Sequence, residues 1–257
     1  MKTPISLLAL FTLTLGVVSF AEAAGADTRV YELRTYTAAP GKFENLLARF
    51  RDHTTRIFEK HGMVNIGYWV PADAADGAGE KLVYILEHKS REAANASWAA
   101  FQADPEWQAV AKASEVNGKI LAKSPERIFL ALTDYSKAPV SKASATPRIF
   151  ELRTYTAAEG KLDALDARFR GGETALFTKS GMTEVAYFHP IDADKGAGKT
   201  LIYLLAHANR DAAKASWDKF RADTEWVKMK ETSEKNGRLT SETKSMFLTP
   251  VDFSKMK

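Results

Sequence analysis

Cysteine is absent from this 257-residue chain. No disulfide can staple the protein and no thiolate can hold a metal, so packing alone must hold its cores. Histidine is nearly as scarce. His53, His61, His88, His189 and His207 are the full set, and no two stand at the i, i+4 spacing of a helical metal site. Charge of one sign is nowhere concentrated: 36 Lys and Arg mix with 32 Asp and Glu for a net +4, leaving no basic block for nucleic acid. Phosphate loops, dinucleotide fingerprints, HExxH and GxSxG are all missing. After residue 20 no apolar run is long enough to span a bilayer. No nucleic-acid partner, no cofactor and no membrane span in the processed chain are therefore expected.

The single long apolar run, Ile5 to Phe20, follows Lys2 and precedes Ala21-Glu22-Ala23. A positive start, a run short of the ~20 residues of a span and a small-x-small site describe a secretory signal peptide. Residues 1–23 are expected to be removed, leaving an exported protein, periplasmic or secreted. The rival reading of this run is an uncleaved anchor. Processing would remove one charge of each sign, Lys2 and Glu22, and leave about 230 residues, enough for two cores.

What the chain has is a repeat. YELRTYTAAPGK at 31–42 returns as FELRTYTAAEGK at 150–161, and SWAAFQADPEW at 97–107 returns as SWDKFRADTEW at 216–226. The offset stays at 119 residues from Arg29 to about Ser124. That period is the size of a small domain rather than of a solenoid unit. Domains are expected at 29–136 and 148–257, joined by the Ala/Ser/Pro-rich linker 137–147.

Each copy opens on an alternating strand, Val30 to Thr37. Phe43, Leu46, Leu47, Phe50, Ile57 and Phe58 then keep helical spacing up to Gly62, a left-handed helix end. Strands follow at Val64–Val70 and Lys81–His88, then a helical region from Ser90 that restarts at Asp104-Pro105-Glu106, then a last strand over 126–133. The order βαββαβ predicts an α+β fold: two tandem ferredoxin-like units whose antiparallel sheets pack together as an α/β barrel. Each sheet would have one bare face, and the sibling unit is the cover.

Strand parity separates Tyr31, Leu33, Val83 and Ile85 from Glu32, Arg34, Tyr36, Tyr84 and His88. If the aliphatic faces meet the helices, the mixed faces point between the sheets. That places Glu32, Arg34, Tyr36, Tyr84 and His88 with their twins Glu151, Arg153, Tyr155, Tyr203 and His207 in an inter-sheet cavity. Such a cluster is either a satisfied polar network or a ligand site. In the second case Arg34 and Arg153 would hold an anionic or carbonyl group, the tyrosines would stack or donate, and His88 would shuttle a proton. His88 and His207 could also meet on a metal or haem, although no carboxylate motif accompanies them. Trp98, Trp107, Trp217 and Trp226 have core spacing.

RTYTAAPGK, RDHTTRIFEKHGM at 51–63, GYW at 67–69 and the split SW…F…D.EW helix resemble the NIPSNAP family of the dimeric α/β-barrel superfamily. The resemblance covers nearly the whole processed chain, once per repeat. It implies paired ferredoxin-like sheets. It also implies kinship with cofactor-free monooxygenases, EthD-like proteins, small-molecule isomerases and haem-binding dismutases. Oxygenase- or isomerase-like activity without a cofactor is what it suggests. Two functions stay open: binding or processing a small organic molecule, or a non-enzymatic interaction module that presents its outer helices and Trp107, with or without self-association. The copies differ at Asp52/Gly171, His53/Gly172, His61/Ser180, Trp69/Phe188 and Glu87/Ala206, and any site is expected in the first copy's version.

Overall fold

The computed structural model describes residues 28–144 and 146–257. The apolar run at 5–20 and the processing site at Ala23 lie outside the described residues. The first copy forms β1 (Val30–Thr37), α1 (Phe43–Arg49), a π-helical turn (Phe50–Thr54), α2 (Thr55–Lys60), β2 (Val64–Pro71), β3 (Lys81–His88), α3 (Arg91–Ala103), α4 (Pro105–Ser114) and β4 (Glu126–Leu132). The second repeats it as β5 (Ile149–Ala157), α5 (Leu162–Arg168), a π-helical turn (Phe169–Glu173), α6 (Thr174–Lys179), β6 (Thr183–Pro190), β7 (Thr200–His207), α7 (Arg210–Ala222), α8 (Thr224–Ser233) and β8 (Thr240–Pro250). Among the described residues no helix is long and apolar enough to cross a membrane.

The helix boundaries follow local chemistry. Asp104 and Asp223 cap α4 and α8 by accepting from the backbone N–H of Glu106 at 2.9 Å and of Glu225 at 2.8 Å. Gly62 (φ 77°) and Gly181 (φ 98°) supply the left-handed residue that ends α2 and α6. The expected single helix from Phe43 onward is broken by the π turn. An extra residue there keeps the apolar face in phase, so spacing alone does not reveal it.

The strands close into one antiparallel barrel in the order β1-β3-β2-β8-β5-β7-β6-β4. Each copy contributes four neighbouring strands, and two seams join the copies. β2 meets β8 from Trp69↔Pro250 to Pro71↔Leu248, and β4 meets β6 from Leu130↔Pro190 to Leu132↔Phe188. After the last strand each copy sends an arm onto the other. Asp134 pairs with Arg170 at 2.7 Å, and Asp252 pairs with Arg51 at 2.7 Å.

The barrel interior is the reverse of the expected face. Tyr31, Leu33, Ile66, Trp69, Val83, Ile85 and Leu130 interleave there with Phe150, Phe188, Ile202, Leu204 and Leu248 in one buried cluster. Tyr31 packs on Phe188 with ring centroids 5.2 Å apart, and Trp69 on Phe150 at 5.4 Å. An eight-stranded barrel has just enough room for its inward side chains, and mostly apolar ones fill it, although Trp69 Nε1 is buried there without a hydrogen-bond partner among the described residues.

Candidate functional site

Glu32, Arg34, Tyr36, Tyr84 and His88 therefore lie on the outer wall, under the helices, as do Glu151, Arg153, Tyr155, Tyr203 and His207. This corrects the placement expected from strand parity. Tyr36 and Tyr84 join Phe50, Phe58, Trp98 and Phe101 in the sheet–helix core, and Tyr155 and Tyr203 join Phe169, Phe177 and Phe220. The physical reason is where partners exist. The helix layer brings an indole N–H to each glutamate, Trp98 Nε1 to Glu32 and Trp217 Nε1 to Glu151, both at 2.7 Å. In the barrel interior the Trp69 Nε1 is buried with no hydrogen-bond partner among the described residues.

Each copy builds the same buried ladder there. Arg34 Nη1 donates to Glu32 Oε1 at 2.6 Å and its guanidinium lies 4.2 Å from the Trp98 ring, while His88 Nε2 sits 3.1 Å from Glu32 Oε2. In the second copy Arg153 contacts Glu151 at 2.5 Å, Tyr203 at 2.9 Å and Tyr155 at 3.0 Å, and His207 Nε2 lies 3.0 Å from Glu151. Burial opposes ionisation of both glutamates, but the histidine, arginine and indole partners outweigh it. Both carboxyls fall below their usual range, Glu151 to about 2. The two histidines do not converge, because each is engaged by its own copy's glutamate. Among the described residues no group of three metal-ligating side chains occurs.

The copies part company one layer out. In the second copy a cleft of about 290 Å³ opens between β5, the start of β8, the π turn and α8. Tyr155, Phe220 and Trp226 form its aromatic wall; Arg168, Glu173, Lys230, Glu234 and Arg238 bring charge; Thr240 to Thr243 line the strand side. Arg168 Nε donates to Glu173 Oε2 at 2.7 Å and Nη1 to Glu234 Oε1 at 3.1 Å, with the guanidinium 5.0 Å from the Trp226 ring. The Glu173 side chain is 2% exposed, and burial pushes its carboxyl up to about 7 against the pull of Arg168.

The twin positions in the first copy are Thr54 for Glu173, Ala111 for Lys230, Leu121 for Thr240 and Ala122 for Ser241. Thr54 turns its hydroxyl back to the Arg49 carbonyl at 3.0 Å, and Leu121 packs onto the hydrophobic core. Sequence reasoning passed over Glu173 while weighing His53 and His61. His53 is exposed, and His61 caps α2 with Nε2 2.7 Å from Asp104. The missed signal was phase: Glu173 stands at the buried spacing between Phe169 and Leu176, where a carboxylate needs a reason.

No curated protein matches the chain. Among solved structures, a candidate monooxygenase from Fusobacterium nucleatum aligns with TM-score 0.54 at 8% identity, over 88% of this chain and 94% of its own. An anthrone oxidase-like protein aligns with TM-score 0.53 at 14% identity, over 88% and 92%. An uncharacterised NIPSNAP-like domain protein from Burkholderia xenovorans covers 43% of this chain and 90% of its own at 19% identity, with TM-score 0.38. The first two share the fold of the whole barrel. The NIPSNAP family model matches residues 31–137 and again 150–255, so the chain is a member of the NIPSNAP family that carries the family's domain twice.

Proposed function

We propose that the second repeat binds a small organic molecule in the cleft between its helices and the barrel wall. The observation that carries this reading is local divergence between twins. The glutamate–arginine–histidine–tryptophan ladder is kept in both copies, as a structural part would be. The layer above it diverges at four positions, where the first copy has Thr54, Ala111, Leu121 and Ala122 and the second has Glu173, Lys230, Thr240 and Ser241, while Arg49, Glu115, Lys119 and Lys123 keep charge at the twins of Arg168, Glu234, Arg238 and Glu242. A concave space with aromatic walls and a few convergent polar groups is what a small-molecule site requires. Of the residues expected at the site, Tyr155 lines this cleft directly, and Arg153 reaches it through the Tyr155 hydroxyl. The remaining ladder residues hold the wall.

The test is a thermal-shift screen of small aromatic and carbonyl compounds on the processed protein. Compounds that raise Tm in the wild type are expected to lose at least tenfold in affinity in Glu173→Thr, which installs the first copy's residue, and in Tyr155→Phe. Hits with unchanged affinity in both variants would place binding elsewhere. We further propose that the protein acts after export, on the strength of residues 1–23. The intact mass of the protein recovered from cells should correspond to a chain starting near Ala24.

A further inference from the structure

We propose that Glu173 is the proton acceptor of this cleft, and that its substrate class is a small carbonyl acid with an acidic C–H beside the carbonyl. This inference rests on the cleft being the binding site, and adds the chemistry done there.

The two carboxylate oxygens of Glu173 have different surroundings. Oε2 is held by Arg168 Nε at 2.7 Å, whereas Oε1 has no hydrogen-bond partner in a residue that lines the cleft. That oxygen is not sealed in the core and is open to water or a ligand from the cleft. The backbone supports the same view. Glu173 ends a π-helical turn, a feature common at functional sites, and the preceding Gly172 has φ 135°, a conformation open to glycine that its twin His53 does not adopt. Arg168 is pinned by Glu234 and the Trp226 ring, so it fixes the carboxylate's direction and acts as a positioning residue. Burial also lifts Glu173 to about 7, where a base is half ready near neutral pH.

Tyr155 completes the set. Its hydroxyl accepts from Arg153 Nη2 at 3.0 Å, which leaves its own proton to donate into the cleft. Glu173 Oε1 takes the proton from the carbon beside the carbonyl, and the C–H electron pair becomes the enolate double bond. The carbonyl π pair moves to oxygen, where the Tyr155 O–H stabilises the charge. Return of the proton to the same carbon gives exchange, and its delivery to oxygen gives the enol. Nothing is oxidised or reduced. Among the described residues Lys230 and Arg238 line the same cleft without an ion pair of their own, while the cleft's Glu242 is paired with Lys244, which favours a substrate carrying a carboxylate.

Phenylpyruvate is the probe: a planar ring, a carboxylate and an acidic methylene beside a ketone. Proton NMR in deuterated buffer reads methylene exchange, and line broadening reads binding independently. The wild type is expected to broaden the probe's lines and accelerate exchange. The rate should rise with pH through about 7 and level off, because the ionised carboxylate is the working form. Glu173→Gln should still broaden the lines but lose roughly 100-fold or more of the acceleration. Tyr155→Phe should lose roughly tenfold and keep the pH midpoint, a pattern that mere loosening of the fold would not give. Broadening without accelerated exchange, or exchange equal in Glu173→Gln and wild type, overturns the base and leaves the cleft standing. No broadening with the wild type overturns both.

Discussion

Gly67 and Trp69 show how single residues settle the inside of the barrel. A Cβ on Gly67 would stand 2.3 Å from the Trp69 ring, so the indole lies across the space a side chain would need. The second copy solves the same place with the opposite pair, Ala186 and Phe188, both buried. Gly67→Ala should therefore destabilise the protein by about 1–3 kcal/mol, the usual cost of overpacking, measured by urea unfolding. Gly67→Ala with Trp69→Phe should recover most of that loss by copying the twin, and a purely additive double variant would show that the ring is not the cause. Glu173 makes a second prediction at this scale. Its folded carboxyl titrates near 7 against 4.5 for the free group, so between those values the folded state holds more protons than the unfolded state. Wild-type stability should fall as pH rises across that window, by on the order of 1–3 kcal/mol, and Glu173→Gln should remove the slope. A slope of the opposite sign would mean that Arg168 governs the pair.

Among elements, the arm that leaves β4 is fastened differently from its twin after β8. Tyr135 donates to Asp166 Oδ1 of α5 at 2.7 Å, and His189 Nε2 of β6 lies 3.1 Å from Asp166 Oδ2 while Nδ1 lies 2.8 Å from the Thr200 carbonyl. Both partners of the imidazole only accept, so the ring must donate twice and is held as the cation. Burial lowers its pKa, but the Asp166 and Thr200 bonds and the nearby Asp134 carry it above the ordinary 6.5, with Arg170 turned to Asp134 in the same cluster. The corresponding residues at the other seam, Val70 and Leu47 of the first copy and Phe253 of the arm after β8, are apolar. A raised histidine pKa gives stability that is complete below the unfolded value and lost as pH rises through the folded one. Unfolding at about pH 6 and about pH 8 should show that loss in the wild type. In a Glu173→Gln background, His189→Val with Asp166→Leu, the first copy's pairing, should flatten it. The strands and helices themselves were legible, because two copies confirm each boundary and caps such as Asp104-Pro105 mark the helix starts. The direction of the strands was not. Parity sorts Glu32 from Leu33 but does not say which set looks inward, and what decides it is Trp98, an indole donor 66 residues away in the chain. Likewise the π turns hide in sequence: the spacing of Glu173 between Phe169 and Leu176 marks it as buried, but not the cleft into which the turn directs it.

On the scale of the whole molecule, the question is whether the duplicated halves unfold as one. The hydrogen-bonded seams are short: Trp69 to Pro71 on β8 and Leu130 to Leu132 on β6, against pairing along the full length of β1 with β3. The reciprocal ion pairs Arg91–Asp192 and Arg210–Asp73 are partly exposed and contribute little. Interdigitation does more. The interior cluster takes side chains from all eight strands or their neighbours in both copies, and Val251 and Tyr135 each pack into the helix-side core of the opposite half. Neither half can keep its inward face dry without the other, so loss of one should expose both. Leu204→Ala tests this, since Leu204 is 1% exposed inside the barrel. It should cost about 2–5 kcal/mol, and hydrogen exchange should show β1 losing protection by the same free energy as β7, although the substitution lies on β7 alone. Protection lost in β5 to β8 while β1 to β3 stay closed would instead mean that the seams are hinges between two separately stable halves. The cleft of the second repeat could then open without disturbing the first.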